Sequence, residues 1–160
     1  MSERPQTPGE FVDHLAVVTA AIGTEVPSPA LEERLNRDFG AAGDWFAEAT
    51  ALCHRGIAEG WLCGREAGGI KFGRPVKEGE ATHGMSVDVV EMDDVVGPHH
   101  AHPNGEIDLV MPVDAAAEFD GRGAGWKVYG PGSAHKPTVT GGKAIVLYLL
   151  PGGAIEFTRD

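Results

Sequence analysis

Gly97-Pro98-His99-His100-Ala101-His102-Pro103-Asn104-Gly105-Glu106 is the stretch from which the rest of the chain is best read. Side chains alternate along a strand, so His100 and His102 share a face and lie close enough for both imidazoles to reach one ion. Pro103-Asn104-Gly105 reads as a turn that brings Glu106 back beside them as an oxygen ligand. Downstream, Gly132-Ser133-Ala134-His135 sets another imidazole at the beginning of a later strand. Three nitrogens and one carboxylate oxygen suit Fe2+, Mn2+, Ni2+ or Zn2+ while leaving positions for water or substrate. His99 has the opposite parity and is expected to face away. His14 and His54 fall on helical segments with no partner at ligand spacing, and His83 precedes a strand at the surface.

Around this stretch the chain reads as short strands. From Trp61 onward glycine, proline and β-branched residues alternate in brief runs, with turns expected at Gly68-Gly69, Gly130-Pro131-Gly132 and Gly141-Gly142. Strands are expected over 70–74, 84–91, 98–102, 106–112, 126–129, 135–139, 143–150 and 154–158, enough to close a small antiparallel barrel or jelly roll. The first sixty residues read as helices. Thr7-Pro8-Gly9-Glu10 offers a capping box before Phe11, Leu15, Val18 and Ile22 recur at helical spacing, with Gly23 as the stop. Ser28-Pro29 opens a second helix carrying Leu31 and Leu35. A third runs from near Asp44 with Phe46, Cys53 and Ile57 to one side. The expected organisation is one unit, with residues 1–60 packing as a helical segment on a barrel of residues 61–160.

Composition limits the partners. At 160 residues the chain has room for one core, and 42% hydrophobic with 23% charged residues is ordinary for a globular domain. A formal net charge of −11 repels phosphate backbones and anionic membrane surfaces, so neither nucleic acid nor membrane is an expected partner. A small anion remains compatible, because a metal and local Arg or Lys residues can invert the potential inside a pocket. No apolar run approaches the length of a membrane span and the N-terminus has no apolar targeting core, so a soluble cytoplasmic protein is expected. Cys53 and Cys63 form no C-x-x-C pair and are expected as buried thiols.

His100-x-His102-x-x-x-Glu106 followed by Gly132-x-x-His135 resembles the two metal motifs of the cupin superfamily, which implies an RmlC-like barrel with all four ligands facing inward. Some positions depart from that pattern. Asp94 stands where a glycine is usual, no glycine follows Glu106, Val139 replaces a frequent Asn, and Pro131 and Gly132 are adjacent. Gly60-Trp61-Leu62-Cys63, Arg65-Glu66-Ala67-Gly68-Gly69-Ile70-Lys71, Ser86-Val87-Asp88-Val89-Val90, His102 to Asp108 and Val128 to His135 resemble, more narrowly, the 4-hydroxylaminobenzoate lyase family of nitroarene degradation.

The narrower resemblance implies conversion of 4-hydroxylaminobenzoate and water into 3,4-dihydroxybenzoate (protocatechuate) and ammonia, with no net redox change. The N–O bond breaks heterolytically, oxygen reaches the adjacent ring carbon, and the resulting imine is hydrolysed. The expected cofactor is one divalent metal ion, Fe2+ or Mn2+ before Zn2+ or Ni2+.

Asp108 keeps the parity of Glu106 and is the first candidate for acid–base work, with Glu66 the second. Arg65, Lys71 and Arg74 surround the first β segment as cations for a small aromatic carboxylate, although the simplest register points Lys71 outward. Tyr129 and Trp126 are aromatic candidates for the pocket wall. Two other functions compete: an Fe2+-dependent cupin dioxygenase, which would consume oxygen, and a non-catalytic binding cupin, which would turn nothing over. A homodimer is expected, as is common for such barrels.

Overall fold

A computed structural model describes residues 6–158. Helices α1 (Gly9–Ile22), α2 (Pro29–Asp38) and α3 (Asp44–Glu59) precede strands β1 (Arg65–Ala67), β2 (Ile70–Val76), β3 (Met85–Val96), β4 (His100–His102), β5 (Glu106–Pro112), β6 (Glu118–Phe119), β7 (Gly125–Tyr129), β8 (Ser133–His135), β9 (Thr138–Pro151) and β10 (Glu156–Phe157). Two antiparallel sheets form the barrel: a large one in the order β1-β2-β3-β9-β5-β7, with β6 also paired to β9, and a small one, β10-β4-β8. The fold is mainly β, an antiparallel cupin barrel preceded by a helical segment, as the sequence implies.

Alternation divides each central strand between two cores. Ile107, Leu109 and Met111 of β5, Ile145, Leu147 and Leu149 of β9, and Val87 and Val89 of β3 meet Phe11, Leu15, Val18, Leu31, Leu35 and Leu52 of the helices. The opposite parity, with Val110, Val146, Tyr148 and Leu150, packs inside the barrel with Phe119, Met92 and Ile70. The helices thus cover the outer face of the large sheet, and the small sheet covers its inner face. At the β7 edge, α2 supplies the missing ladder partners. Asn36 donates to Trp126 O at 3.0 Å and accepts from Trp126 N at 2.8 Å, and Glu32 accepts from Val128 N at 2.8 Å. A free edge is thereby blocked.

Three local readings need correction. Thr7 does not cap α1; its hydroxyl donates to Pro75 O at 3.0 Å, and Pro8 holds the N-cap position without a side-chain bond. Gly141-Gly142 is not a turn between strands but lies within β9, at φ +81° and +131°. The pairing with β3 slips there, so that Asp94 of β3 lies opposite three residues, a bulge that re-aims the strand. Asp94 takes φ +44° where a glycine is usual, and its carboxylate accepts from Gly141 N at 2.8 Å, which compensates the left-handed conformation. The run expected at 135–139 is divided: His135 ends β8 in the small sheet and Thr138 begins β9 in the large one, with the buried Pro137 between. Strands β1 and β6, short and poor in β-branched residues, were not anticipated.

Candidate metal centre

Strand β4 presents His100 and His102 inward, β8 presents His135, and Glu106 opens β5 beyond the turn. In register, His100 lies opposite His135 and His102 opposite Ser133. The four side chains offer ligand atoms that all lie within 4.8 Å of one another. Glu106 Oε1 is 3.2 Å from His100 Nε2, Glu106 Oε2 is 3.1 Å from His102 Nε2 and 3.2 Å from His135 Nε2, and the Nε2 atoms of His100 and His135 are 3.2 Å apart. His100, His102 and Glu106 are buried, and the His135 side chain is about 12% exposed.

The outward nitrogens fix what the inward ones can do. His100 Nδ1 meets Pro98 O at 3.3 Å, a group that only accepts, so Nδ1 carries the proton. His102 Nδ1 lies 2.9 Å from Ser133 Oγ, whose own hydrogen goes to Gly130 O at 2.6 Å, so this nitrogen donates as well. His135 Nδ1 donates to Asp120 Oδ2 at 2.6 Å. Each Nε2 is then left with a lone pair aimed at the Glu106 carboxylate. Three lone pairs and an anion converging within hydrogen-bond distance repel one another unless a cation lies among them. His102 Nε2 and Glu106 Oε2 lack a hydrogen-bond partner of acceptable geometry among the described residues. The donor set fits a divalent metal.

In the absence of a metal, protons take over that role. Burial works against charge on His135, but donation to the Asp120 and Glu106 carboxylates outweighs it and pushes the imidazole up to about 9. Burial likewise opposes a charged Glu106, yet the three imidazoles hold it well below the usual carboxylate range. Asp108 goes the other way: complete burial, then repulsion from Glu106, raise it well above that range.

Asp120, which the sequence reading did not single out, organises this corner of the barrel. Its Oδ2 accepts from His135 and from the Tyr129 hydroxyl, and its Oδ1 accepts from Thr138 N at 2.9 Å. The backbone at Asp120 is left-handed, φ +48°, in the turn between β6 and β7.

A cavity of about 960 Å3 meets the cluster at His100. Its wall is largely apolar, with Ile70, Phe72, Val90, Met92 and Tyr148 among the lining residues, and it carries Arg65, Arg74, Lys77 and Asp88. Arg74 is committed to Asp88 through a two-point bond, Nε to Oδ1 at 2.7 Å and an Nη to Oδ2 at 3.2 Å. Arg65 has no ion pair among the described residues. The other candidates lie elsewhere. Lys71 faces Glu91 at 3.9 Å with a half-exposed side chain, and Glu66, its register partner on β1, is exposed; neither lines the cavity. Tyr129 sits behind the ligands, with its ring 4.4 Å from that of His135, and Trp126 packs in the outer core. Asp108 is sealed off one step beyond Glu106, its protonated carboxyl is turned to the Glu106 carboxylate, and it does not line the cavity. His99 turns away to Thr158, His83 contacts Thr19 at 2.9 Å, and His14 stacks on Trp45. Both cysteines are buried and unpaired, with burial raising each thiol to about 12.

An antiparallel barrel with three imidazoles and a carboxylate converging inside it defines a cupin able to hold a metal ion. Within that class, the chain belongs to the 4-hydroxylaminobenzoate lyase family, whose model matches residues 13–157. It is 30% identical over 160 residues to the 4-hydroxylaminobenzoate lyase of Nocardioides sp. (strain LMS-CY), covering 94% of this chain and 95% of that protein. It is also 30% identical over 177 residues to the Pseudomonas putida enzyme of the same name, covering 98% and 97%. A solved RmlC-like cupin protein from Ralstonia eutropha is similar over 59% of this chain and 62% of its own, with a TM-score of 0.43 and 14% identity.

Proposed function

We propose that the protein converts 4-hydroxylaminobenzoate and water into 3,4-dihydroxybenzoate and ammonia at this centre. The observation that carries the proposal, beside family membership, is the cavity: apolar walls for a ring, a cation at the β1 edge, and the His/Glu cluster reached at His100. His100, His102, Glu106 and His135 would hold a divalent metal, which supplies a Lewis acid and lowers the pKa of a bound water.

The chain's own residues support one pose. Arg65 lies opposite Phe72 in register, and Phe72 lies opposite Val90, so cation and apolar wall follow one another across the sheet. Arg65 is assigned the substrate carboxylate, because Arg74 is already neutralised by Asp88, Lys71 does not line the cavity, and Lys77 follows the end of β2, whereas Arg65 adjoins Phe72 in register. The ring then lies along Phe72 and Val90, with its para substituent toward His100. Asp108 is assigned the role of holding a proton beside Glu106 rather than touching substrate, since it has no access to the cavity.

The activity is tested by following ammonia and 3,4-dihydroxybenzoate release from 4-hydroxylaminobenzoate, and the pose by R65Q. Loss of a charge-assisted bond is expected to lower kcat/KM for this substrate by about 10- to 100-fold. Phenylhydroxylamine, which has no carboxylate, should be turned over equally by both forms; an equal loss on both substrates contradicts the pose.

A further inference from the structure

The inner face of the large sheet is arranged in rows. One row crosses it as Asp88, Tyr148, Asp108 and Lys127, each lying opposite the next on β3, β9, β5 and β7. The neighbouring row toward the cluster contains Glu106 opposite Tyr129, and the row on the other side contains Phe72, Val90, Val146 and Val110. Tyr148 therefore stands between the metal ligands and the apolar wall along which the ring is placed.

Its surroundings single it out. Tyr148 is about 5% exposed, lines the cavity, and places its ring centroid 6.4 Å from that of His100. Among the described residues its hydroxyl makes no hydrogen bond, and it is not one of the sealed polar atoms, so it opens to the cavity. Of the other polar groups of the wall, Arg74 is engaged with Asp88, the Thr7 hydroxyl with Pro75 O and the Cys63 thiol with Val89 O at 3.5 Å, while Arg65 and Lys77 are cationic donors. Neither strand neighbour takes the hydrogen: Asp88 is turned to Arg74, and Asp108 is turned to Glu106. A neutral donor with no protein partner among the described residues thus faces the cavity beside the cluster. Burial and then the carboxylates Glu106 and Asp108 hold this phenol in its protonated form.

Resting on the reading above, we infer that Tyr148 is a catalytic residue that donates its hydroxyl hydrogen bond to the oxygen of the substrate's hydroxylamino group. The bond orients the N–O group toward the cluster and disperses charge that accumulates on that oxygen as the N–O bond lengthens. It explains why one tyrosine interrupts the apolar run Ala144-Ile145-Val146-Leu147-Tyr148-Leu149-Leu150. A phenylalanine would fill the same space but offer no donor to the cavity.

The test is Y148F beside wild type, with metal content and thermal midpoint measured on both. Loss of a donor aimed at developing charge is expected to lower kcat by about 100-fold, with KM changed far less and metal content unchanged. A kcat within about twofold of wild type, in a variant that retains its metal, overturns the inference. Should Y148F fail to retain metal, the wild-type chain labelled with 3-fluorotyrosine answers the same question. It has two tyrosines, Tyr129 and Tyr148, and Y129F assigns the two fluorine resonances. Saturating 3,4-dihydroxybenzoate should shift the Tyr148 resonance, and an unmoved resonance contradicts the contact. Absence of turnover by wild type would instead overturn the proposed function, and this inference with it.

Discussion

Asp120 ligates nothing in this arrangement, yet it settles which nitrogen of His135 carries the proton and so which one is left for a metal. Replacing it with asparagine keeps the shape but allows the amide NH2 to face the imidazole, which removes the preference for Nδ1–H. D120N is expected to weaken metal affinity by about 10- to 100-fold, read by competition with a chelator, while the circular dichroism spectrum stays that of the wild type. An unchanged affinity would show that His135 is held by packing alone.

Asp108 has the opposite energetic character. Its carboxyl binds its proton more tightly in the folded chain than in the unfolded one, so folding is disfavoured progressively as pH rises past about 4, until the folded group ionises as well. D108N cannot ionise. In chelated protein its thermal midpoint should exceed that of wild type by a margin that grows from pH 4 to pH 8; a constant margin contradicts the assignment.

At the scale of elements, docking of α2 on β7 joins the helical segment to the barrel. Asn36 satisfies both backbone groups of Trp126, which is fully buried. N36A leaves that donor and acceptor without partners and is expected to cost about 2 kcal/mol in urea unfolding; a change below about 0.5 kcal/mol would mean that water replaces the amide.

How much of this was legible depends on the pattern each element leaves. His100, His102 and Glu106 were readable because strand parity and one turn bring them together, and Ser28 because a helix start has a local signature that the structure realises with Leu31 N donating to its Oγ. Tyr148 was not readable. Helices cover one face of β9 and the barrel interior the other, so apolar residues run through it without alternation and nothing marks which face the phenol takes. Asp120 was hidden for another reason: its partners His135, Tyr129 and Thr138 are joined only through the crossing of two sheets. Gly141-Gly142 carries the composition of a turn, and only the pairing of β9 with β3 on both sides of it shows a bulge.

In the whole molecule, fold and chemistry occupy opposite faces of one sheet. The outer face is closed by helices and carries the larger apolar core, which leaves the inner face free to hold buried polar groups that cost stability, Glu106 and Asp108 among them. No helix among the described residues is long and apolar enough to cross a membrane. Against a formal charge of −11, Arg65 and Lys77 supply local positive charge on the cavity wall.

The central claim, a redox-neutral lyase working at the His/Glu cluster, is tested most directly by incubating the protein with 4-hydroxylaminobenzoate under strict anaerobiosis, beside a metal-stripped sample and H100A. Stoichiometric ammonia and 3,4-dihydroxybenzoate are expected without oxygen, lost in both controls and restored to the stripped sample by Fe2+ or Mn2+. Product that requires oxygen, or that survives both stripping and H100A, would contradict it.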